Sequence, residues 1–226
     1  MSFNIAIDGP SGAGKSTIAK AVAEQLGFIY VDTGAMYRAL AVHFIRNGID
    51  AGDAAGIAAA LEGATVTIAY DQGMQQVLLN GENVTGLLRT EDVGNMASAA
   101  GVYGPVRRKL LDLQRALAAS ADVIMDGRDI GTNILPDAQL KIYLTATAVE
   151  RARRRYKELT DRGQVCDMAT IEKDIIERDE RDMNREIAPL RQAEDAVYLD
   201  TSHMTIDEVI REILRLYESR RHEMGA

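Results

Sequence analysis

Five short apolar runs lie along the chain, and each has about the length of a buried parallel strand, typically about five residues. They are Phe3–Ile7, Phe28–Val31, Val123–Met125, Leu140–Leu144 and Val197–Leu199. Between most of these runs, apolar residues recur every three or four positions, as Ile18, Val22 and Leu26 do, which is the spacing of one helix face. Strands that alternate with helices predict an α/β fold built on a parallel sheet.

One departure from this alternation lies between Thr65 and Thr85. Three runs of strand-forming residues there are separated by the turn sequences AspGlnGly, at 71–73, and AsnGly, at 80–81. This pattern predicts a small antiparallel sheet inserted into the α/β frame.

A second departure runs from Arg151 to Arg191 and is dense in charged residues. A glycine at position 163 separates two segments with helical periodicity, which predicts a solvated hairpin of two helices. The apolar stripe assigned to the first helix consists of Val149, Ala152, Tyr156 and Leu159.

The charge balance bears on the class of ligand. The chain has 34 acidic and 26 basic residues, a net charge of −8, so we expect no nucleic-acid polymer as a partner. Twenty of the 26 basic residues are arginine, whose planar fork binds phosphate or carboxylate through two hydrogen bonds. Local sites for small anions and ordinary surface salt bridges both explain this composition.

Several classes of protein are disfavoured by what the chain contains. One cysteine, Cys166, cannot form an intramolecular disulfide, and three scattered histidines give no zinc-site spacing. No apolar run approaches the roughly 18 residues of a membrane-spanning helix, and the N-terminus lacks the features of a secretory signal. We therefore expect a cytoplasmic protein with no membrane partner.

The sequence GPSGAGKS follows the first strand and precedes the Ile18 helix, which is the context of a phosphate-binding P-loop. Glycines let successive amide hydrogens point inward, Lys15 reaches the β and γ phosphates, and the Ser16 hydroxyl can bind Mg²⁺. A glycine-rich turn without a ligand is the alternative. The predicted ATP-binding residues are Gly9, Pro10, Ser11, Gly12, Ala13, Gly14, Lys15, Ser16 and Thr17.

A carboxylate, Asp126, ends the strand that begins at Val123, and GlyArgAsp follows it at 127–129. The carboxyl ends of parallel strands are where α/β sheets bind their ligands. Beside a P-loop, Asp126 is therefore a candidate for the Mg²⁺ shell together with Ser16.

Several arginines stand out by position. Arg38 lies on the side of its helix opposite the apolar stripe, so it is available to a ligand. Arg178, Asp182 and Arg185 follow at i, i+4 and i+7, which predicts one face of a single helix. That face could contact nucleotide phosphates and ribose, although periodicity alone favours a solvated, salt-bridged surface.

Five segments occur in a fixed order along the chain. They are IAIDGPSGAGKST, DTGAMYR, GENVTGLLRT, MDGRDIGT followed by PDA, and ERDERDMNREIAPL. Together they resemble the bacterial cytidylate kinase family from about Ile5 to about Val209. The later segments are more specific than the P-loop, which many nucleotide-binding families share.

The resemblance implies an α/β P-loop NTPase fold: a five-stranded parallel sheet, a small antiparallel β insert and a helical lid. The implied organisation is one kinase unit over residues 1–226, with its core at 1–61, 86–150 and 186–226, its nucleotide-monophosphate insert at 62–85 and its lid at 151–185. The implied reaction moves the γ-phosphate of MgATP to CMP or dCMP and gives ADP and CDP or dCDP. A monomeric enzyme is expected.

The resemblance also implies roles for individual residues. The implied catalytic residues are Lys15, Arg128, Arg178 and Arg185. The implied CMP-binding residues are Thr33, Arg38, Ser98, Arg107, Arg128, Asp129, Arg178, Asp182 and Arg185. Lids of this family contribute an arginine, for which Arg151, Arg154 and Arg155 are equal candidates.

Two other functions fit parts of the sequence. A related small P-loop kinase acting on UMP, AMP or shikimate would share the P-loop and the lid, but the GlyArgAsp segment and the insert favour CMP. A nucleotide-dependent switch or ATPase would need the P-loop and no acceptor pocket, which would leave the late arginine helix unexplained.

Overall fold

The computed structural model describes residues 2–225, which form two compact units. The first unit consists of residues 3–28 and 124–225, and the second of residue 2 and residues 29–123.

The chain contains eight strands and eight α-helices within residues 2–225. The strands are β1 (Asn4–Asp8), β2 (Ile29–Asp32), β3 (Val66–Asp71), β4 (Met74–Leu79), β5 (Glu82–Asn83), β6 (Val123–Gly127), β7 (Leu140–Thr145) and β8 (Val197–Asp200). The helices are α1 (Lys15–Leu26), α2 (Thr33–Arg46), α3 (Ala54–Ala60), α4 (Glu91–Ala100), α5 (Gly104–Ser120), α6 (Ala148–Asp161), α7 (Met168–Asn184) and α8 (Ile206–Gly225).

The strands form two sheets. The larger is a five-stranded parallel sheet in the order β2-β6-β1-β7-β8, and the smaller has the order β3-β4-β5. In the larger sheet Ile5 lies opposite Leu140, and in the smaller one β4 pairs antiparallel with both neighbours. The predicted α/β fold with a parallel sheet and a small antiparallel insert is confirmed.

Burial explains why β1, β6 and β7 are continuous apolar runs rather than alternating ones. Ile5 and Ile7 of β1, Ile124 of β6 and Ile142 of β7 are all at most 1% exposed. Strands buried on both faces need apolar residues at successive positions, which is how the sequence pattern indicated them. The sheet therefore holds the carboxyl ends of β1 and β6 in fixed positions.

The second unit is organised around α2. Its stripe of Met36, Leu40 and Phe44 is fully buried, as the helical spacing predicts. Asp32 caps this helix, because its side chain accepts a hydrogen bond from the amide of Ala35 at 2.8 Å. The AsnGly turn between β4 and β5 has positive φ at both Asn80 and Gly81, as tight hairpins prefer.

Helices α6 and α7 form the predicted helical hairpin, and Gly163 between them adopts a φ of 75°. The apolar stripe assigned to α6 is wrong as a buried face. Val149 is 56% exposed and Tyr156 is 38% exposed, whereas Ala152 is buried beside a buried charged residue, Arg151. The helix packs through its polar side because that side carries the partners described below.

No helix between residues 2 and 225 combines the length and the apolar character that crossing a membrane would need.

Candidate active site

The loop between β1 and α1 is shaped by glycine. Gly9, Gly12 and Gly14 have φ values of 150°, 75° and 87°, a region that residues with a side chain rarely adopt. Gly14 precedes α1 without any side-chain cap, so the first amides of this helix remain directed at the loop. A loop of this shape at a helix N-terminus favours an anion.

Gly9 also allows a close approach of two backbones. A Cβ at this position would lie 1.9 Å from the carbonyl oxygen of Leu144 in β7. Where the loop begins at the end of β1, its backbone is therefore packed directly against β7, and only glycine fits at position 9.

Lys15 lies folded across this loop. Its Nζ donates hydrogen bonds to the carbonyl oxygens of Gly9 and Pro10, both at 2.8 Å, and the residue is 6% exposed. Burial lowers the pKa of Lys15 to about 7, and the charge of Arg128 acts in the same direction. A phosphate group at the loop would restore the charged form of this amine.

Ser16 and Asp126 converge beside the loop. The Ser16 hydroxyl donates to the Asp126 carboxylate at 2.8 Å, and Asp126 is 5% exposed near the end of β6. A hydroxyl and a carboxylate offer the hard oxygen ligands that Mg²⁺ prefers, and Mg²⁺ takes few ligands from protein. These two residues therefore fit the ion that the sequence analysis assigned to them.

A partly buried ion pair lies close to Asp126. Arg128 Nε lies 2.8 Å from Asp182 Oδ2, joining the segment after β6 to helix α7. Burial alone would raise the pKa of Asp182, but Arg128, with smaller contributions from Arg185 and Arg178, holds it below its usual value. Burial alone would likewise lower the pKa of Arg128, but Asp182 raises it. Both groups are therefore charged and held in place.

Asp129 is fixed by two side chains. Its carboxylate accepts hydrogen bonds from Arg185 Nη2 at 3.3 Å and from Asn133 Nδ2 at 3.1 Å, and it is 4% exposed. The turn that follows it, Ile130–Ile134, is π-helical. Its first two amides donate to the buried carboxylate of Asp8, each at 2.8 Å. Asp8 thus anchors the turn that carries Asp129.

The structure corrects the predicted helical face of Arg178, Asp182 and Arg185. Helix α7 ends at Asn184, and Arg185 follows it in extended conformation with φ −65° and ψ 141°. Because it leaves the helix, Arg185 reaches Asp129 in the segment after β6. Arg178 remains on α7, one turn before Asp182, and is half-buried.

Four predicted site residues belong to the second unit. Thr33 begins α2 and is 3% exposed. Arg38, one turn later, pairs with Asp32 at 3.0 Å, and its Nε is buried with no hydrogen-bond partner between residues 2 and 225. An unsatisfied guanidinium N–H on a charged side chain is suited to an anionic ligand.

The other two residues lie on α4 and α5. Ser98 is half-buried on α4. Arg107 is 8% exposed on α5, donates to the carbonyl oxygen of Gly101 at 3.3 Å and lies 5.7 Å from the ring centre of Tyr37. Arg107 therefore lies against α2, the helix that also carries Thr33 and Arg38.

The three arginines proposed for the lid differ in their surroundings. Arg151 is 5% exposed and pairs with Asp179 of α7 at 2.6 Å. Arg154 donates to the carbonyl oxygen of Thr201 at 2.7 Å, whereas Arg155 is exposed and pairs with Glu158. The three side chains, which the sequence could not distinguish, therefore have different surroundings in the structure.

Two residues of the site were missed by the sequence analysis. Asp8 is a buried acid at the end of β1, and Asp179 is a buried acid within a charge run that indicated a solvated surface. For Asp8, a signal existed, because an acid that directly precedes a P-loop ends a buried strand. For Asp179, the sequence offers no comparable signal, since its partners, Arg151 and the amide of Ser11, lie in other elements.

The chain is similar to known proteins over almost its whole length. A family model described as cytidylate kinase matches residues 5–219. A cytidylate kinase of Caldicellulosiruptor saccharolyticus is 49% identical over 215 residues, which cover 95% of each chain. A cytidylate kinase of Geobacter sp. strain M21 is 46% identical over 216 residues, which cover 96% of this chain and 93% of the relative.

A solved structure shares the fold. It is a protein of Eubacterium ventriosum described as uncharacterized, with a TM-score of 0.54 and 14% sequence identity. The match covers 97% of this chain and 99% of that one.

Proposed function

The chain belongs to the cytidylate kinase family, and we propose that it transfers the γ-phosphate of ATP to CMP or dCMP. The products are ADP and CDP or dCDP. It is a nucleoside monophosphate kinase, and the family's general reaction takes ATP as the phosphate donor.

The observation that carries the donor side of this proposal is the buried Lys15 inside the glycine loop. The amine already donates to two loop carbonyl oxygens at 2.8 Å, so the loop places a positive charge where phosphate oxygens would lie. We assign ATP binding to residues 9–17. The lowered pKa of Lys15 supports this assignment, because a buried amine without its anion is held in an unfavourable environment.

Phosphoryl transfer mainly requires alignment and neutralisation of charge, since negative charge spreads over the oxygens of the transferred group. We propose that Lys15, Arg128, Arg178 and Arg185 supply this positive charge. Arg128 and Arg185 are each held by a carboxylate, at 2.8 and 3.3 Å, so their positions are set before substrate binds. Preorganised charge lowers the barrier because no reorganisation is needed during transfer.

We propose that the donor binds as MgATP and that Ser16 and Asp126 contribute to the Mg²⁺ shell. The ion would neutralise phosphate oxygens of the donor. In the structure the Ser16 hydroxyl and the Asp126 carboxylate are already within 2.8 Å of one another, which supports their joint role.

We propose acceptor-binding residues in each unit. In the second unit they are Thr33, Arg38, Ser98 and Arg107. In the first unit they are Arg128, Asp129, Arg178, Asp182 and Arg185. The unsatisfied Nε of Arg38 supports a role with the acceptor's phosphate. No general base is needed, because a nucleotide monophosphate with a second pKa near ~6 is mostly a dianion at pH 7 and is itself the nucleophile. Asp182, already charged, suits the ribose hydroxyls.

Asp129 is the residue we assign to base choice. Cytosine presents an amino group as a donor at its position 4, whereas uracil presents an acceptor there. A carboxylate accepts a hydrogen bond from the amino group and repels a carbonyl oxygen, so CMP should be preferred to UMP. The two hydrogen bonds that hold Asp129 support a fixed orientation for this contact.

We propose further that residues 62–85 form the nucleotide-monophosphate insert and that residues 151–185 form the lid. A lid that closes over both nucleotides would exclude water and suppress hydrolysis of ATP. We also propose that the enzyme acts as a monomer in the cytoplasm on free nucleotides. Analytical ultracentrifugation at the protein concentration of the assay tests the monomeric state, because it gives the molar mass in solution.

The test is ADP formation from ATP with CMP, dCMP, UMP, AMP and shikimate as separate acceptors. We expect rapid turnover with CMP and dCMP, slow turnover with UMP, and none with shikimate. Lys15→Ala is the control that removes the loop's charge and should abolish turnover with every acceptor. Activity confined to an acceptor that is not a pyrimidine nucleotide would refute the proposal.

A further inference from the structure

The tip of the glycine loop, Ser11 and Gly12, is held from outside by two helices. The carbonyl oxygen of Ser11 accepts a hydrogen bond from Arg151 Nη1 of α6 at 2.8 Å. The amide of Ser11 donates to Asp179 Oδ1 of α7 at 3.3 Å. Both polar groups of one loop residue are therefore bound by side chains distant in the sequence.

The two side chains also bind each other. Arg151 Nη1 lies 2.6 Å from Asp179 Oδ2, and the side chains are 7% and 8% exposed. Arg151 Nε donates to the carbonyl oxygen of Ala146 at 2.9 Å, which fixes the guanidinium at the start of α6. A buried pair with these additional partners has a defined geometry rather than a range of surface conformations.

Gly12 provides a second, independent contact. A Cβ at Gly12 would lie 3.4 Å from the Cβ of Arg151 and 3.8 Å from Cδ1 of Ile175 on α7. Both helices of the hairpin thus pack directly on the loop tip. Any movement of α6 or α7 away from this position must release Ser11.

We propose that Arg151 and Asp179 are positioning residues for ATP: together they set the backbone of Ser11 and Gly12, and so couple the arrangement of α6 and α7 to donor binding. This inference rests on the proposed function for its kinetic consequences and goes beyond the roles assigned to the loop itself. A displacement of about 1 Å at a phosphate-binding backbone is enough to change rates or affinities by tenfold or more.

The test compares Asp179→Asn, Arg151→Lys and the double variant. Matched controls are Glu180→Gln, the exposed neighbour on α7, and Arg153→Gln, which is exposed on α6. Calorimetry gives the Kd for ATP, and steady-state kinetics give kcat and the KM for each substrate. Backbone amide NMR reports the resonances of Ser11 and Gly12.

We expect each single variant to raise the Kd and the KM for ATP about tenfold, with the KM for CMP changed by less than about twofold. The Kd of the double variant for ATP should be no higher than that of the single variant that binds ATP more weakly, because both changes remove the same support of Ser11. The Ser11 and Gly12 amide resonances should move in Asp179→Asn and stay in place in Glu180→Gln.

An unchanged Kd for ATP in Asp179→Asn would overturn the inference. A Kd for ATP that rises in Arg151→Lys but not in Asp179→Asn would also overturn the inference, since it would mean that Arg151 contacts ATP directly. If Asp179→Asn fails to fold, Asp179→Glu keeps the charge but displaces the carboxylate from Ser11, and it should show the same rise in Kd. An unchanged Kd there refutes the inference too.

The measurement of Kd needs no acceptor, so failure of this inference and failure of the proposed function are distinguishable. A wild-type protein that phosphorylates no pyrimidine nucleotide would refute the function. The same protein would still support the positioning pair if Asp179→Asn weakened its binding of ATP.

Discussion

Asp8 is a buried carboxylate whose ionisation lowers the free energy of unfolding. It is 5% exposed at the end of β1, and its two oxygens accept hydrogen bonds from the amides of Ile130 and Gly131. Burial raises its pKa from 3.8 to about 6, against these two amides and the charge of Lys15, which favour the ionised form. We therefore expect Asp8 to make stability depend on pH in a defined direction.

The sign follows from proton binding. Because its pKa is higher in the folded than in the unfolded chain, the folded protein binds more protons between about pH 4 and pH 6. The free energy of unfolding contributed by Asp8 therefore falls as pH rises through this range. A pKa raised from 3.8 to about 6 corresponds to about 3 kcal/mol at pH 7, and the cost disappears below the unfolded pKa.

The assay is urea unfolding of the wild type and Asp8→Asn between pH 4.5 and pH 7.5. Asparagine has nearly the shape of aspartate but carries no charge. Its NH2 group would face one of the two backbone amides that Asp8 binds, and this mismatch shifts the free energy of unfolding by an amount that does not depend on pH. The stability of the variant relative to the wild type should therefore increase by about 2 kcal/mol across this range.

Asp112→Asn, an exposed carboxylate on α5, is the control for loss of a surface charge. Parallel pH profiles of the free energy of unfolding for the wild type and Asp8→Asn would show that Asp8 does not make stability depend on pH. They would mean that the two amides and Lys15 compensate fully for the burial of Asp8.

Three further predictions address the site. ATP binding at pH 8 should take up about one proton, because phosphate oxygens restore the charge of buried Lys15. Calorimetry in buffers of different ionisation enthalpy measures this uptake, and a binding enthalpy that is the same in every buffer would contradict it. Gly9→Ala should lower the free energy of unfolding by about 1–3 kcal/mol, because its Cβ would meet the carbonyl oxygen of Leu144; an unchanged melting temperature would argue against this crowding. Asp129→Ala should narrow the ratio of kcat/KM for CMP over UMP by about tenfold or more, and an unchanged ratio would remove Asp129 from the base site.

The sequence predicted those features that depend on local pattern. Strands such as β1 and β7 were indicated because both of their faces are buried, so apolar residues follow one another directly. The glycine loop was indicated because its conformation needs glycine at fixed positions and a helix directly afterwards. The turn at Asn80 and Gly81 was indicated for the same kind of reason, since both residues adopt positive φ.

The errors lie where tertiary contacts decide. Periodicity extended the last charged helix to Arg185, but the chain leaves α7 at Asn184 and Arg185 pairs with Asp129. The stripe with Val149 and Tyr156 looked like a packing face, yet both side chains are exposed. Spacing along one helix cannot show which side of it finds a partner.

Buried charge was the feature hardest to anticipate. Arg151 and Asp179 both come from segments whose composition indicated a solvated surface, and in the fold they are buried as an ion pair. Asp8 is similar, because the amides that bind it lie more than 100 residues further along the chain. Pairs of this kind become visible only when the fold brings their elements together.

Direct transfer of a phosphoryl group from ATP to a cytidine nucleotide can be followed in a single turnover. The reaction contains ATP labelled in its γ-phosphate, CMP and Mg²⁺, with Lys15→Ala as the inactive control. We expect the label to appear in CDP as fast as ADP forms, with little in inorganic phosphate. Label released as inorganic phosphate while CMP remains unmodified would contradict direct transfer.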